Sequence, residues 1–309
     1  GIGSEGVEHL VTLLRTSNGR RLDLNLNNNP LTAASAAPLS QLMCADSPMM
    51  IQSLHLSHCQ LGNEGMRVLC NNAVVSSSLH SNGVEFLDVS HNGIEEAGAK
   101  ALAASLYDRD SGKTGWESLR MLKLSGNNIG VNGVKALAAC LQKPSTTTTT
   151  TTATTATDTA TTTTATDVSE SSSMWEGNTC LEVLDLSQTN CGEGAAVLLL
   201  ECCSLKKLRL FNNSFGTNGM THIATEIKTA PCSLEELDVG GNNADASTMV
   251  NLLDAIGSNQ FMVDAAKLRV LEIGGNDSSE GVEHAIKMLQ QKLPRLDVAR
   301  DKPRGPRSN

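Results

Sequence analysis

Hydrophobic residues recur along this chain in units of about 30 residues. In each unit, leucines first alternate with polar residues over about five positions, and apolar residues then recur three and four positions apart. Alternation with a period of two predicts a short strand with one buried face, and the longer spacing predicts an amphipathic helix. The strand part of the pattern begins at Leu24, Leu54, Leu87, Leu122, Leu184, Leu208, Leu237 and Leu271.

Residues 119–142 contain one complete unit. Leu122 and Leu124 flank Lys123 in the predicted strand, Gly130 permits a sharp turn, and residues 133–141 have helical spacing. A unit of this kind cannot enclose its own apolar face, so neighbouring units must stack. A helix is about 10 Å wide whereas strands lie about 4.8 Å apart, so the stack must curve with its strands inside. We therefore predict an α/β solenoid of nine to ten strand–turn–helix units, with a parallel inner sheet and outer helices.

A small polar residue follows the second apolar strand residue of each unit by three positions. If its side chain points inward, it can bond backbone groups of neighbouring units that no strand partner reaches. We predict that these residues form a structural ladder. They are Asn29, Cys59, Asn92, Asn127, Thr189, Asn213, Asn242 and Asn276.

These repeats are similar to those of the leucine-rich repeat family. The long unit, with Gly after the turn and an Ala-rich helix, resembles the ribonuclease-inhibitor-like subclass. That subclass includes Ran GTPase-activating proteins, tropomodulin-type caps and the sensor arrays of NOD-like receptors. The resemblance implies a curved horseshoe that binds other proteins through the inner strand face and the adjacent loops.

One spacing is anomalous, because 62 residues separate Leu124 from Leu186. Sixteen of the 21 residues from position 146 to position 166 are Thr, and such a segment has too little apolar surface to recover the entropy lost on ordering. We predict that residues 144–173 are a disordered insertion within one solenoid, which is built from residues 1–143 and 174–298. Residues 299–309 carry four basic residues against one acidic residue and are expected to be a flexible tail.

Composition narrows the class of protein. The chain has 309 residues, a formal net charge of −9, 40 leucines and only seven aromatic residues, so the predicted core is aliphatic. Its apolar runs fall short of a membrane span, and its negative charge makes nucleic acid a poor partner. Nine scattered cysteines favour reduced thiols and a cytoplasmic or nuclear location. Because the chain begins with Gly1 rather than Met, we interpret it as either an expressed form of the protein or a fragment of a longer one.

The inner strand face is the candidate binding surface, and we expect a monomer that uses it. The residue between the two strand leucines points outward in each unit, and these residues are Asn25, His55, Asp88, Lys123, Asp185, Arg209, Asp238, Glu272 and Asp297. A second row, two positions on, is mostly small and runs from Asn27 to Ala299. We predict that Phe211 is the only aromatic residue on this face and that it anchors a partner together with Arg209 and Asn212.

Other chemistry is not supported by the sequence. His55, His58, His91 and Asp88 lie on adjacent predicted strands, but histidines on an open face are usually solvated, and we predict no metal. Residues 112–114, Gly-Lys-Thr, are similar to the end of a phosphate-binding loop but lack the preceding glycine and precede a strand. Neither a catalytic set nor a cofactor is predicted.

The leading hypothesis is a non-catalytic protein-interaction module whose inner face, acidic in its C-terminal half, binds a protein that is basic or a small GTPase. Charge reversal at Asp238 and Glu272 is expected to weaken that complex. One alternative is a GTPase-activating protein resembling the Ran family. Another is the sensor repeat region of a NOD-like receptor.

Overall fold

The structure is a computed structural model. It describes residues 1–16, 21–43, 50–75, 83–107, 116, 118–142, 180–202, 204–231, 234–263 and 267–300. Within these ranges, nine strands and ten α-helices follow one another along the chain.

The strands form a single parallel sheet in which every strand pairs with its neighbours in chain order, from β1 to β9. Their bounds are β1 Arg21–Asn25, β2 Met50–His55, β3 Phe86–Asp88, β4 Met121–Lys123, β5 Val183–Asp185, β6 Lys207–Arg209, β7 Glu236–Asp238, β8 Val270–Glu272 and β9 Asp297–Ala299. Most are three residues long because the chain turns away as soon as the second apolar side chain has entered the core. The predicted α/β solenoid with a parallel sheet is confirmed.

The helices form the second layer, on one side of the sheet. Their bounds are α1 Ser4–Arg15, α2 Ala36–Leu42, α3 Gly62–Val75, α4 Glu96–Leu106, α5 Gly130–Leu141, α6 Glu193–Leu200, α7 Gly216–Ile227, α8 Ala246–Ile256, α9 Gln260–Val263 and α10 Glu280–Lys292. A 3₁₀ turn at Ala33–Ser35 precedes α2. Helix α8 begins with a side-chain cap, in which the Asp245 carboxylate accepts a hydrogen bond from the Thr248 amide at 2.8 Å.

The core is aliphatic and continuous from one end of the described array to the other. The first strand leucine of each inner repeat is fully buried, as at Leu87 and Leu122. Trp116 is the largest fully buried side chain, and its indole Nε1 donates to the Ser105 hydroxyl at 2.9 Å. A few aliphatic side chains from each repeat are enough because adjacent repeats share one core.

The long spacing does not interrupt the sheet. Strands β4 and β5 pair directly, with Met121 opposite Val183 and Lys123 opposite Asp185. The predicted insertion at 144–173 lies outside the described residues, as does the tail from residue 301 onward. Among the described helices, none combines the length and the apolar character needed to cross a membrane.

Candidate functional site

The candidate site is the concave face, meaning the side of the sheet that the helices leave uncovered. The strand register arranges its side chains in rows, because neighbouring parallel strands place equivalent residues side by side. The middle row consists of Asn25, His55, Asp88, Lys123, Asp185, Arg209, Asp238, Glu272 and Ala299.

The end of this row differs from the sequence prediction. Asp297 was expected beside Glu272, but the register pairs Glu272 with Ala299 and places Asp297 opposite Val270. The physical reason is that Val298 aligns with Leu271, the first core residue of the preceding strand, rather than with the second. The acidic part of the middle row therefore ends at Glu272.

A further row on the same face was missed by the sequence reasoning. It holds the residues that precede the first strand leucine, two positions before the middle row. The members are Ser53, Phe86, Met121, Val183, Lys207, Glu236, Val270 and Asp297. Extending the alternation by one residue toward the N-terminus would have found this first row.

The prediction that Phe211 is the only aromatic residue on this face is wrong. Phe86, in the first row, lies against two members of the middle row. Its ring centroid is 4.5 Å from that of His55, and the Lys123 ammonium group lies 5.2 Å from the centre of the Phe86 ring. This cation–π contact gives the N-terminal half of the face an aromatic and cationic character.

Arg209 is bound within the face rather than free. Its guanidinium donates to the Glu236 carboxylate from Nη2 at 2.7 Å and from Nε at 3.0 Å. The Lys207 ammonium group lies 3.0 Å from the other oxygen of Glu236. Burial alone would raise the pKa of Glu236, but the hydrogen bonds and charges of Arg209 and Lys207 together lower it. Glu236 therefore pairs with both cations of β6.

Phe211 lies flat on the following repeat. A Cβ atom at position 241, where the chain has Gly241, would lie 2.7 Å from Phe211 Cε2. A Cβ atom in place of the Gly240 hydrogen would lie 3.2 Å from Phe211 Cδ2. The ring is half-buried, and the adjacent Asn212 is exposed with a positive φ of 53°. Of the three residues predicted as an anchor, Phe211 borders the acidic part of the face, Asn212 points to solvent and Arg209 is occupied by Glu236.

Several acidic residues of the middle row also shape the backbone. Asp88 and Asp185 each accept a hydrogen bond at 3.0 Å from the amide two residues ahead, at Ser90 and Ser187. Asp238 does the same with Gly240 at 2.9 Å. These bonds hold the strand exits in place, so the carboxylates are fixed in position before any partner arrives.

Asp238 has the most perturbed environment of these acids. Its side chain is 4% exposed, and burial raises its pKa to about 7. The charges of Glu272 and Asp185 act in the same direction, while the hydrogen bond from Gly240 and the charge of Arg209 oppose them. Glu272 itself remains partly exposed.

Most of the ladder residues lie beneath the face, in the core. Asn127 is fully buried; its Oδ1 accepts from the amides of Asn92 at 2.9 Å and Ile94 at 3.0 Å. Its Nδ2 donates to the carbonyls of Val89 at 2.9 Å and Leu124 at 2.8 Å. Three of these four backbone groups belong to the preceding repeat. The same arrangement recurs at Asn92, Asn213, Asn242 and Asn276.

Two ladder positions lack an amide and bond differently. The Cys59 thiol donates to the Leu26 carbonyl of the preceding repeat at 3.1 Å. The Thr189 hydroxyl donates to Leu186 of its own repeat at 2.7 Å and lies 3.2 Å from the Asn213 Oδ1 of the following repeat. Among the described residues, the Thr189 side chain has no hydrogen bond to the repeat before it.

The histidines that follow β2 and β3 stack rather than chelate. The His58 and His91 ring centroids lie 4.3 Å apart with an interplanar angle of 9°, so their in-plane lone pairs do not converge on one point. Partial burial lowers the pKa of His91, and a charge on His58 acts in the same direction. Within the described residues, no three His, Cys, Asp or Glu side chains form a group that could hold a metal ion.

Comparison with known proteins agrees with this architecture. A family model described as Leucine Rich repeat matches residues 47–70, 80–103, 117–138 and 201–224. The chain is 26% identical to the ribonuclease inhibitor of Sus scrofa over an alignment of 280 residues, and the match covers 74% of this chain and 60% of that protein. It is 24% identical to the ribonuclease inhibitor of Mus musculus over 237 residues, covering 70% of this chain and 44% of that protein.

A third relative is the NACHT, LRR and PYD domains-containing protein 12 of Mus musculus. The identity is 26% over an alignment of 302 residues, and the match covers 96% of this chain and 26% of that protein. The chain thus spans no more than 60% of the length of any of these three relatives. The repeat pattern, the single parallel sheet and these matches together show that the chain is similar to leucine-rich repeat proteins of the ribonuclease-inhibitor-like type.

Proposed function

We propose that this chain is a non-catalytic recognition module that binds a protein partner on its concave face. The observation that carries the proposal is the charged middle row on the open side of the sheet, together with the mixed first row beside it. Phe86, Lys123, Asp185 and Glu272 stand there on strands whose backbone is fixed by neighbours on both sides. A preformed surface of this kind loses little entropy when it binds.

The face has two chemically different halves. Its N-terminal half presents His55 and Lys123, each in contact with Phe86. Its C-terminal half presents Asp185, Asp238 and Glu272, while the two cations of β6 are both paired with Glu236. We infer that a partner places basic groups against the C-terminal half and apolar groups against the N-terminal half, where the charges of Asp88 and Lys123 balance. Such polarity would set the orientation of the partner.

Charge reversal on opposite layers of the same array tests this proposal. The concave variant carries Asp185→Lys and Glu272→Lys, and the matched control carries Asp254→Lys and Glu280→Lys on the outer helices α8 and α10, where both residues are exposed. Each protein is immobilised, and the proteins captured from a cell extract are quantified by mass spectrometry. We expect proteins retained by the wild type and by the control to be reduced at least tenfold with the concave variant. Equal retention by all three would refute concave-face recognition.

A second candidate role is the sensor repeat region of a larger receptor. It is favoured by the match to the NACHT, LRR and PYD domains-containing protein, which covers nearly all of this chain but about a quarter of that protein. In that case the recognition face serves a neighbouring domain in the same polypeptide. The sequence of the complete transcript tests this, since a nucleotide-binding domain in the same reading frame is required.

The Ran-type GTPase-activating alternative makes a different demand. It requires faster GTP hydrolysis by a Ran-type GTPase when this protein is present. We expect the hydrolysis rate to be the same with and without the protein, because we assign it a binding role.

A further inference from the structure

The outer edge of β1 is open. Strands β2 to β8 each have a neighbour on both sides, but among the described residues no strand pairs with the side of β1 that faces away from β2. In inner repeats the first-row amide donates to the preceding repeat, as Met121 does to the Glu85 carbonyl at 3.0 Å. Asp23 takes this row in β1, so its amide and carbonyl point to the open side. Such an edge is a template for pairing with another chain.

Apolar side chains are uncovered at the same end of the array. Leu13 on α1 is 68% exposed, and Leu10 on α1 and Leu22 on β1 are only partly buried. Arg15 on α1 bonds Gln41 on the neighbouring helix α2. At about 100° per residue, Leu10 and Leu13 lie more than about 120° around the helix from Arg15. Both α1 leucines therefore lie on the side of the helix that α2 leaves uncovered, where a further chain on the β1 edge would meet them.

The charges of β1 determine which strand can pair with it. A second copy related by a two-fold axis would place β1 antiparallel to β1. With Leu22 on the axis, Arg21 of each copy lies opposite Asp23 of the other, so the contact occurs twice. A shift that brings the two Asp23 residues opposite each other places like charges together, which destabilises a strand pair. The side chains of Arg21 and Asp23 are both exposed, so β1 is self-complementary in the first of these registers.

Arg21 is available for this contact. Its guanidinium lies 3.8 Å from Glu85 on the same molecule, and both side chains are more than a third exposed. Ion pairs of this length and exposure contribute little to stability. Among the described residues, Asp23 has no ion pair at all. Pairing with a second copy therefore gives Asp23 a counter-charge and breaks no strong bond.

The opposite edge of the array, at β9, disfavours head-to-tail stacking. Placing β1 of one copy beside β9 of another would continue the sheet in parallel, with its rows aligned. Asp297 and Asp23 both belong to the first row, so their carboxylates would lie side by side. Like charges on neighbouring strands oppose that contact. The closed two-fold pair is therefore favoured over an open chain of molecules.

We propose that two copies of this chain associate through the outer edges of β1, as an antiparallel strand pair with reciprocal contacts between Arg21 and Asp23. The α1 helices of the two copies meet beside the joined sheet and cover Leu13. The two concave faces become continuous, with their N-terminal halves at the centre. The protein is then a dimer in place of the monomer expected from the sequence. This association is independent of the proposed function, because no concave-face partner takes part in it.

Sedimentation equilibrium of the full chain, at concentrations from about 1 to about 100 µM, tests the proposal. We expect the wild type to approach twice its mass of 32.6 kDa at the upper end. Asp23→Arg and Arg21→Asp should each weaken self-association at least tenfold, because like charges then face each other. An equimolar mixture of these two variants should regain the dimer mass, since each copy supplies the charge that the other lacks. Circular dichroism of each variant verifies the fold.

Two further variants separate this dimer from other assemblies. Asp297→Arg is the matched control, because it makes the same charge change in the same row at the opposite edge, and it should leave the mass unchanged. Species larger than a dimer in Asp297→Arg would instead indicate head-to-tail stacking and overturn the two-fold pair. Leu13→Glu, at an exposed position, should weaken self-association at least tenfold through the helix contact. A wild type that stays monomeric throughout, or a dimer that Asp23→Arg leaves intact, would also overturn the proposal.

Discussion

Replacing Asn127 with Ala should remove an internal clamp between two repeats. The amide side chain satisfies four backbone groups, the N–H groups of Asn92 and Ile94 and the carbonyls of Val89 and Leu124. The site is fully buried, so water does not readily replace these bonds. Each group left without a partner costs about 1–3 kcal/mol. Taking the lower end for all four predicts a loss of roughly 4 kcal/mol in the free energy of unfolding.

Thr189 at the equivalent position provides the matched comparison. Its hydroxyl bonds only Leu186 and Asn213, so Thr189→Ala should cost about 1–2 kcal/mol. The loss of unfolding free energy in Asn127→Thr should lie between those of Asn127→Ala and Thr189→Ala, because a hydroxyl can still reach the Leu124 carbonyl. Urea denaturation followed by far-UV circular dichroism measures all three variants. If Asn127→Ala cost no more than Thr189→Ala, the ladder would not be the source of stability that its hydrogen bonds indicate.

Two further predictions concern buried polar groups. Burial raises the pKa of Asp238 to about 7, above its ordinary value, so the folded state holds a proton that the unfolded state has released between pH 4 and pH 7. The free energy of unfolding of the wild type should therefore fall relative to that of Asp238→Asn as the pH rises through this range, by as much as about 4 kcal/mol; parallel urea-unfolding curves at pH 4, 6 and 8 would contradict this. Ser105→Ala removes the acceptor of the Trp116 indole N–H and should cost about 1–3 kcal/mol in thermal or urea unfolding, whereas Ser278→Ala at the exposed surface should cost less than about 0.5 kcal/mol.

The pairing register of the strands could be predicted from the sequence because one physical requirement determines it. Each strand must send its first leucine into the shared core, and a shift by one residue would expose the whole set. The pairs Leu87 with Leu122 and Leu184 with Leu208 follow from that requirement alone. At β9 the requirement is weaker, because two candidate core residues, Leu296 and Val298, flank Asp297. In the structure Val298 pairs with Leu271, whereas the repeat pattern in the sequence placed Leu296 at that position.

The chemistry of the face was less predictable because it depends on contacts between repeats. Arg209 and Glu236 are 27 positions apart and occupy different rows, so no pattern within one repeat reveals that they pair. The burial of Asp238 likewise follows from its neighbours: Phe211 leans over the next repeat and Gly240 lets the backbone come close. Row membership follows from spacing along the chain, whereas these contacts depend on side-chain conformations and on residues from adjacent repeats.

The Thr189 position has a consequence for how the array comes apart. Stacked repeats are stabilised mainly by their nearest neighbours, so cooperativity is limited by the weakest interface in the stack. At the β4–β5 interface the ladder residue Thr189 forms no side-chain hydrogen bond to a described residue of the preceding repeat, whereas Asn127 forms such bonds one repeat earlier. This interface also joins the two paired strands that are farthest apart in sequence. Native-state hydrogen exchange should therefore resolve two blocks, residues 1–142 and 180–300, that open with different free energies. The solenoid would then be one sheet in geometry but two units in its unfolding.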